Sequence, residues 1–342
     1  VEPLAGPIQL KTDFTLRGDS LEMRRLHLDD PGGLVVKLPR LSANMKEYST
    51  RHDIVVEVES ASFPLVYKAW MQPLLYGTLF EDLETEGELS ASLHIKDRKI
   101  QQLDLDLQGL SIADNYGRFS VYDLSSQLDS RDGFEQGQLN LSWQGAELYR
   151  LLLGSSSLEF DIRNDGMQVL SPFSIPLYDG ELKVFKLSVE DLQSHHPAIN
   201  FDGILTPVSL SSFSNAFGWP ALQGSVSGVI PGVRYDESGL TVDGILLARA
   251  FDGTFKISNL KISDLFSPLP RLDANFRLEQ LDLSKLTQAF DFGHMEGKLS
   301  GHVAGLTMLD WKADAFDAFF YTPEDDESRH AVSYTHLRAH ET

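Results

Sequence analysis

The chain repeats itself at an offset of 73 residues, and this repeat restricts the possible folds more than any other feature of the sequence. Three segments recur in the same order and without a gap: a turn triplet, a helix-like stretch and a glycine-rich strand. The aligned pairs are Tyr178–Gly180 with Phe251–Gly253, 210–217 with 283–290, and Gly224–Gly228 with Gly297–Gly301. A unit of this length cannot bury its own apolar face, so it must stack on its neighbours as a quasi-linear sheet or solenoid. Two similar closed β domains are the alternative.

Apolar and polar residues alternate with a period of two along most of the chain. Leu103, Leu105 and Leu107, for example, are separated by Asp104 and Asp106. This alternation predicts strands with one apolar and one polar face. The other predicted strands include 54–58, 119–122, 139–143, 158–162, 255–257 and 272–278. Asp-Gly pairs predict hairpin turns at 132–133, 165–166, 179–180, 202–203, 243–244 and 252–253.

Helix-like patterns are few and short, at 65–76, 146–153, 210–217 and 283–290. They are too short to be crossovers between parallel strands, which favours antiparallel pairing. We therefore expect an all-β fold with a few short helices, arranged as an elongated antiparallel sheet. The expected divisions are diverged repeats over 1–176, one repeat over 177–250, one over 251–322, and a disordered or artefactual tail over 323–342. The last ten residues of that tail resemble a translated sequencing adapter.

The composition argues against several classes of function. With 29 basic and 50 acidic residues, the net charge of −21 repels phosphate backbones and anionic headgroups, so nucleic acid is not an expected partner. The absence of cysteine removes thiolate nucleophiles and thiolate metal ligands. Acidic residues are scattered over strand and turn positions, and His195-His196 precedes Pro197 in a predicted hairpin loop, which does not favour a metal site. No nucleophile elbow, phosphate loop or dinucleotide motif occurs, so we predict a non-enzymatic protein without cofactor or metal.

The segment from about Phe173 to Phe320, a little under half of the chain, resembles the C-terminal part of AsmA-like proteins of the YdbH type, which are related to TamB and YhdP. The remainder of the chain resembles them only in its general alternation of apolar and polar residues. The motifs that carry the resemblance are Tyr178-Asp-Gly-Glu-Leu, Phe251-Asp-Gly-Thr-Phe, Pro268-Leu-Pro-Arg-Leu, Leu281-Asp-Leu, Phe292-Gly-His-Met-Glu-Gly-Lys-Leu-Ser-Gly-His-Val and Leu309-Asp-Trp-Lys-Ala-Asp-Ala-Phe-Asp-Ala.

The resemblance implies a coiled sheet that forms a hydrophobic groove (a repeating β-groove) and carries phospholipid between the inner and outer membranes of a diderm bacterium. It also implies a periplasmic location and an anchor in the inner membrane. No stretch between Val1 and Thr342 is apolar enough over the length that such an anchor requires. Expected partners are phospholipid acyl chains, both membranes through further segments, and outer-membrane or periplasmic proteins. The candidate groove-lining residues are Leu182, Val184, Phe255, Ile257, Leu272, Phe276 and Leu278. The alternative function is a structural or assembly factor for outer-membrane proteins or envelope spacing.

Overall fold

A computed structural model describes residues 8–17, 20–44, 53–97, 99–194, 196–217, 224–265, 267, 269–289, 293–323 and 337–338. The chain divides into two compact units. Unit 1 comprises Val1–Tyr149 and Ser155–Ser171, and unit 2 comprises Arg150–Gly154 and Pro172–Thr342. Most of the predicted tail, 323–342, lies outside the described residues.

Unit 1 is an antiparallel sheet in which most strands pair with the strands before and after them in sequence. Its strands are β1 (Gln9–Arg17), β2 (Ser20–Asp30), β3 (Leu34–Asn44), β4 (Asp53–Phe63), β5 (Leu83–Lys96), β6 (Lys99–Asp114), β7 (Phe119–Arg131), β8 (Gln136–Trp143), β9 (Gly145–Leu148), β11 (Ser156–Arg163) and β12 (Gly166–Val169). The strands β8 and β9 both pair with β7, and β11 pairs with β8 and β12. A helical segment joins β4 to β5 and consists of a π-helix, Tyr67–Met71, and a 3-10 helix, Gln72–Leu74.

Unit 2 is built in the same way, with two short α-helices inserted between strands. Its strands are β10 (Leu151–Leu153), β13 (Phe173–Leu177), β14 (Gly180–Glu190), β15 (Ala198–Ser209), β16 (Ser225–Asp236), β17 (Gly239–Val242), β18 (Ile245–Ala250), β19 (Gly253–Ser263), β20 (Arg271–Asp282), β21 (Lys298–Leu309), β22 (Lys312–Tyr321) and β23 (Leu337–Arg338). Helix α1 (Leu210–Phe217) follows β15, and helix α2 (Leu283–Ala289) follows β20. The predicted all-β class with antiparallel pairing and a few short helices is confirmed.

The prediction of a helix over 146–153 is wrong. Residues Gly145–Leu148 form β9, in which Ala146 lies opposite Val121 of β7. Leu151–Leu153 form β10, and Leu153 lies opposite Leu177 of β13. An eight-residue helix is marginal in water, whereas each of these short strands satisfies backbone groups on an existing strand.

Two of the predicted Asp-Gly turns are also wrong. Asp202-Gly203 lies inside β15, and Asp243-Gly244 lies between β17 and β18, which do not form a hairpin with each other. The carboxylate of Asp202 accepts a hydrogen bond from the backbone N–H of Gly232 at 2.7 Å, where Gly232 has a φ of 52°. Asp202-Gly203 therefore lies opposite a β-bulge in β16 and not in a turn. Bulges and turns are easily confused in a sequence, because both favour residues that tolerate positive φ and bond locally to the backbone.

The 73-residue repeat is present in the hydrogen bonds of unit 2. The N–H of Leu210 donates to the carbonyl of Gly224 at 3.0 Å, and the N–H of Leu283 donates to that of Gly297 at 3.0 Å. Strand register follows the same offset, since Leu182 lies opposite Leu205 and Phe255 lies opposite Leu278. The two helices therefore occupy equivalent places in equivalent strand–helix–strand units. The domain boundaries at 176, 250 and 322 stay predictions.

The repeated bulge gives a test of this equivalence. The N–H of Gly305 donates to the Asn275 side chain at 2.7 Å, which corresponds at the 73-residue offset to the bond from Gly232 to Asp202. We expect Asp202→Ala and Asn275→Ala each to lower the free energy of unfolding by about 1 kcal/mol, because each leaves a bulge N–H without its partner. Urea unfolding of the two variants measures this. A loss of more than about 2 kcal/mol confined to one of them would show that the bulges are not equivalent.

Candidate functional site

The candidate lining residues lie on one face of unit 2, which we call the apolar face. Antiparallel partners that are directly opposite each other share a face of a sheet. Phe255 lies opposite Leu278, and Ile257 lies opposite Phe276. On β14, Leu182 and Val184 hold the positions that correspond to Phe255 and Ile257 at the 73-residue offset. Leu272 also belongs to this face and pairs with Ile262 and Met308.

Most of these side chains are only half-buried. Leu182, Phe255, Ile257, Leu272, Phe276 and Leu278 all retain intermediate exposure, whereas Val184 is buried at 4%. Large apolar side chains in the core of a folded domain are normally covered on all sides. Val184 therefore belongs to the packed core of unit 2. The other six form an apolar surface that the described residues cover only in part.

The end of the apolar face beside the helices is closed. Val208 and Leu281, which correspond to each other in the repeat, are both 0% exposed. Glycine makes this packing possible, because a Cβ on Gly180 would lie 2.7 Å from Val208 Cγ2 and one on Gly253 would lie 2.6 Å from Leu281 Cδ2. The same sheet face thus changes from a filled core at one end to partly exposed phenylalanine and leucine farther along the strands.

The opposite face of the same strands is polar. Lys256 pairs with Glu279 at 2.6 Å, and Arg271 pairs with Asp273 at 3.0 Å. The hydrogen bond from Arg271 holds the pKa of Asp273 below its usual range, despite partial burial. Hydrated ion pairs on one face and hydrocarbon on the other make the sheet amphipathic, so a nonpolar ligand has only one face to bind.

A line of bulges crosses the sheet of unit 2. The bulged residues include Phe185 on β14, Gly232 on β16, Asn259 on β19 and Gly305 on β21, each beside a register shift in its ladder. A bulge bends its strand and increases the local twist. Because these bulges recur on every second strand position, the bend is a property of the sheet and not of one strand.

Other residues on the apolar face were not among the sequence candidates. Leu246 on β18 and Val303 on β21 lie in the same cross-strand row as Ile257 and Phe276. Alternation in β21 could have identified Val303, which lies between His302 and Ala304 in phase with Leu299. It could not have identified Leu246, because its neighbours Ile245 and Leu247 are also apolar. Gly203 stands where the second repeat has Phe276, and a Cβ there would lie 2.7 Å from the Lys183 carbonyl oxygen. The row therefore lacks a large side chain at this position.

Polar groups do not converge on a reaction centre in the described part of the chain. The structure contains an open polar depression in unit 1, whose lining includes Arg131, Asp161 and Arg163. Arg131 pairs with Asp104 at 2.7 Å and Arg163 pairs with Asp161 at 2.6 Å, as is usual on a solvated sheet face. No group of three or more His, Asp or Glu side chains among the described residues is placed to hold a metal ion. His195 lies outside the described residues.

Comparisons with known proteins give no further information on family or fold. The chain matches no family model, no curated protein and no solved structure. Among the described residues, no helix combines the length and the apolar character that a membrane span requires. The resemblance to AsmA-like proteins of the YdbH type stays a prediction from the sequence motifs.

Proposed function

We propose that the chain binds phospholipid acyl chains on the apolar face of unit 2 and passes them along the sheet, as part of a periplasmic bridge between the inner and outer membranes. The observation that carries this proposal is the partial exposure of large apolar side chains in regular rows. Phe255, Ile257, Phe276 and Leu278 come from two adjacent strands and form a continuous hydrocarbon surface. An acyl chain can lie against such a surface without specific polar contacts.

The energetics favour this use of the surface. Transfer of a 16-carbon acyl chain from water to an apolar environment is favourable by about 12 kcal/mol, at about 0.8 kcal/mol per methylene group. A continuous apolar path lowers the barrier to lipid movement because the chain never loses this burial completely. No side chain needs to be activated, which agrees with the predicted absence of a catalytic constellation.

The alternative, a non-enzymatic assembly factor or envelope spacer, requires a filled and closed core along the whole apolar face. Val208 and Leu281 fit that description at the helix end. The partly exposed rows of apolar side chains farther along the strands favour a ligand-binding surface instead.

A photo-crosslinking residue at position 276 or 278 of the protein in cells tests the proposal. We expect covalent phospholipid adducts at both positions, because they belong to the apolar face. The matched control is Arg277, which lies between them on β20 and is exposed on the polar face. Adducts at position 277 with none at 276 or 278 would contradict lipid binding on this face. Native mass spectrometry of the purified protein then identifies any lipid that remains bound.

A further inference from the structure

The helical segment between β4 and β5 of unit 1 exposes an unusual amount of apolar surface. We call this surface the apolar tip and define it by Leu65, Met71, Leu74, Tyr76 and Phe80. Leu74 is 84% exposed and Tyr76 is 86% exposed, the two highest values among the large apolar residues that the structure describes. Single exposed leucines are common on protein surfaces, but a group within 16 residues indicates an interaction site.

The apolar tip is held in its exposed position by hydrogen bonds beneath it. The hydroxyl of Tyr67, a buried side chain, donates to the carbonyl of Phe80 at 2.8 Å and accepts from the N–H of Leu83 at 3.0 Å. The indole N–H of Trp70 donates to the buried carboxylate of Asp30 at 2.8 Å. These bonds connect both ends of the segment to the sheet of unit 1. The backbone that carries the exposed side chains is therefore attached to the sheet by buried polar contacts on both sides of Leu74.

The charge around the apolar tip differs from that of the rest of the chain. From Ser60 to Phe80 there is no Asp or Glu, and Lys68 is the only charged residue, although the whole chain carries a net charge of −21. The nearest acidic groups that follow are already engaged: Glu81 accepts the N–H of Gly77 at 2.7 Å, and Asp82 accepts the side-chain amide of Asn115 at 2.8 Å. Because Lys68 and the adjacent Glu81 are opposite in sign, the tip is an apolar surface of low net charge on an acidic protein.

We infer that the apolar tip inserts into the interfacial region of a zwitterionic lipid bilayer. Leucine, methionine and phenylalanine gain from leaving water, and tyrosine favours the headgroup level, where its ring can be buried while its hydroxyl stays hydrated. No Asp or Glu lies between Ser60 and Phe80, so the carboxylate of Glu81, beside Gly77, is the main negative charge that insertion brings close to the membrane. This inference does not depend on the apolar face of unit 2.

The absence of cysteine allows a direct test with single labels. In the Leu74→Cys variant of the full chain, an environment-sensitive fluorophore at position 74 should shift to shorter wavelength and brighten several-fold on addition of phosphatidylcholine vesicles. Leu170→Cys is the matched control, because Leu170 is also an exposed leucine of unit 1, at 56%, and should show no change. An unchanged signal at position 74, or equal changes at both positions, would overturn the inference. A change that follows protein concentration in the absence of vesicles would also overturn it, by identifying a second copy of the chain as the occupant.

Vesicle co-sedimentation gives an independent measurement. We expect the double variant Leu74→Glu, Tyr76→Glu to reduce the bound fraction at least tenfold with an unchanged melting temperature, because both side chains are already exposed. Vesicles with one-third anionic lipid should bind the unsubstituted protein more weakly than pure phosphatidylcholine, since the net charge is negative. Stronger binding to the anionic vesicles would overturn the inference. Phe276→Glu should leave vesicle binding unchanged, which distinguishes failure of this inference from failure of acyl-chain binding in unit 2.

Discussion

Leu281→Glu should unfold much of unit 2, whereas Phe276→Glu should leave it folded. Both residues lie on β20 and on the same face of the sheet, but Leu281 is 0% exposed and Phe276 is half-buried. A carboxylate at position 281 would be buried without a partner, which costs more than about 4 kcal/mol. At position 276 the carboxylate can reach water, so we expect a loss of at most about 2 kcal/mol.

Urea unfolding and hydrogen exchange of the strand amides measure the two effects. Leu281→Met is the control for packing, because a near-isosteric apolar substitution costs less than about 1.5 kcal/mol. Similar losses for Leu281→Glu and Phe276→Glu would mean that the whole apolar face is a filled core, which contradicts lipid binding and favours the structural alternative. If Phe276→Glu is folded, it should also lack lipid adducts at position 278.

Arg118→Met should destabilise unit 1 by about 3–5 kcal/mol, because it leaves a buried carboxylate without its ion pair. The side chain of Asp114 is 0% exposed. It accepts hydrogen bonds from Arg118 Nε at 2.8 Å and from Arg118 Nη2 at 2.7 Å. The same guanidinium donates to the carbonyl of Leu79 at 3.2 Å and lies 4.9 Å from the centre of the Tyr116 ring. One side chain thus connects the loop after β6 to the chain that precedes β5.

The pH dependence of this effect has a definite sign. Burial alone raises the pKa of Asp114, but the hydrogen bonds and charge of Arg118 outweigh burial, so the pKa lies below its ordinary value. In the unsubstituted protein this pair stabilises unit 1 above the unfolded-state pKa of about 4, and the stabilisation is lost as the pH falls through the folded-state pKa. In Arg118→Met, burial instead raises the pKa of Asp114, so the deficit in stability should shrink between pH 7 and pH 5.

Urea midpoints at the two pH values measure the Arg118 effect. Arg24→Met is the matched control in unit 1, since Arg24 pairs with Glu22 at 2.6 Å and the two side chains are 68% and 38% exposed. Exposed pairs contribute at most about 1 kcal/mol, and we expect this variant to differ little from the unsubstituted protein at either pH. Equal losses for the two arginine substitutions would contradict the role assigned to burial.

The strands were predictable because side chains in a sheet alternate between two faces, and Leu103, Leu105 and Leu107 of β6 follow that alternation directly. The two short strands within 146–153 were not predictable, since a few leucines near each other fit a helix as well as two short strands. Asp202-Gly203 was misread as a turn because a bulge requires the same local chemistry. In each of these two cases the pairing partner, which is distant in sequence, decided the structure.

The members of the apolar face were predictable where a strand alternates strictly, as β19 does around Phe255 and Ile257, but their degree of exposure was not. Leu278 and Leu281 are both leucines on one strand, and only the three-dimensional arrangement separates the half-buried residue from the fully buried one. Val184 also could not be assigned to the core from the sequence, because it occupies the same phase of β14 as the partly exposed Leu182. The prominence of Leu74 and Tyr76 likewise depends on hydrogen bonds made by Tyr67 and Trp70, which no local pattern reveals.

In unit 2, each copy of the repeat adds the same number of strand positions to the sheet. From β14 to its counterpart β19 the sheet advances by four strand positions, because β17 and β18 occupy a single position between β16 and β19. Neighbouring strands lie about 4.8 Å apart, so each 73-residue copy extends the sheet by about 19 Å. Duplication or loss of one copy would change the span of such a protein in fixed steps while leaving every strand pairing inside the remaining copies intact. The width of such a sheet is therefore set by the number of copies and not by the design of any single strand.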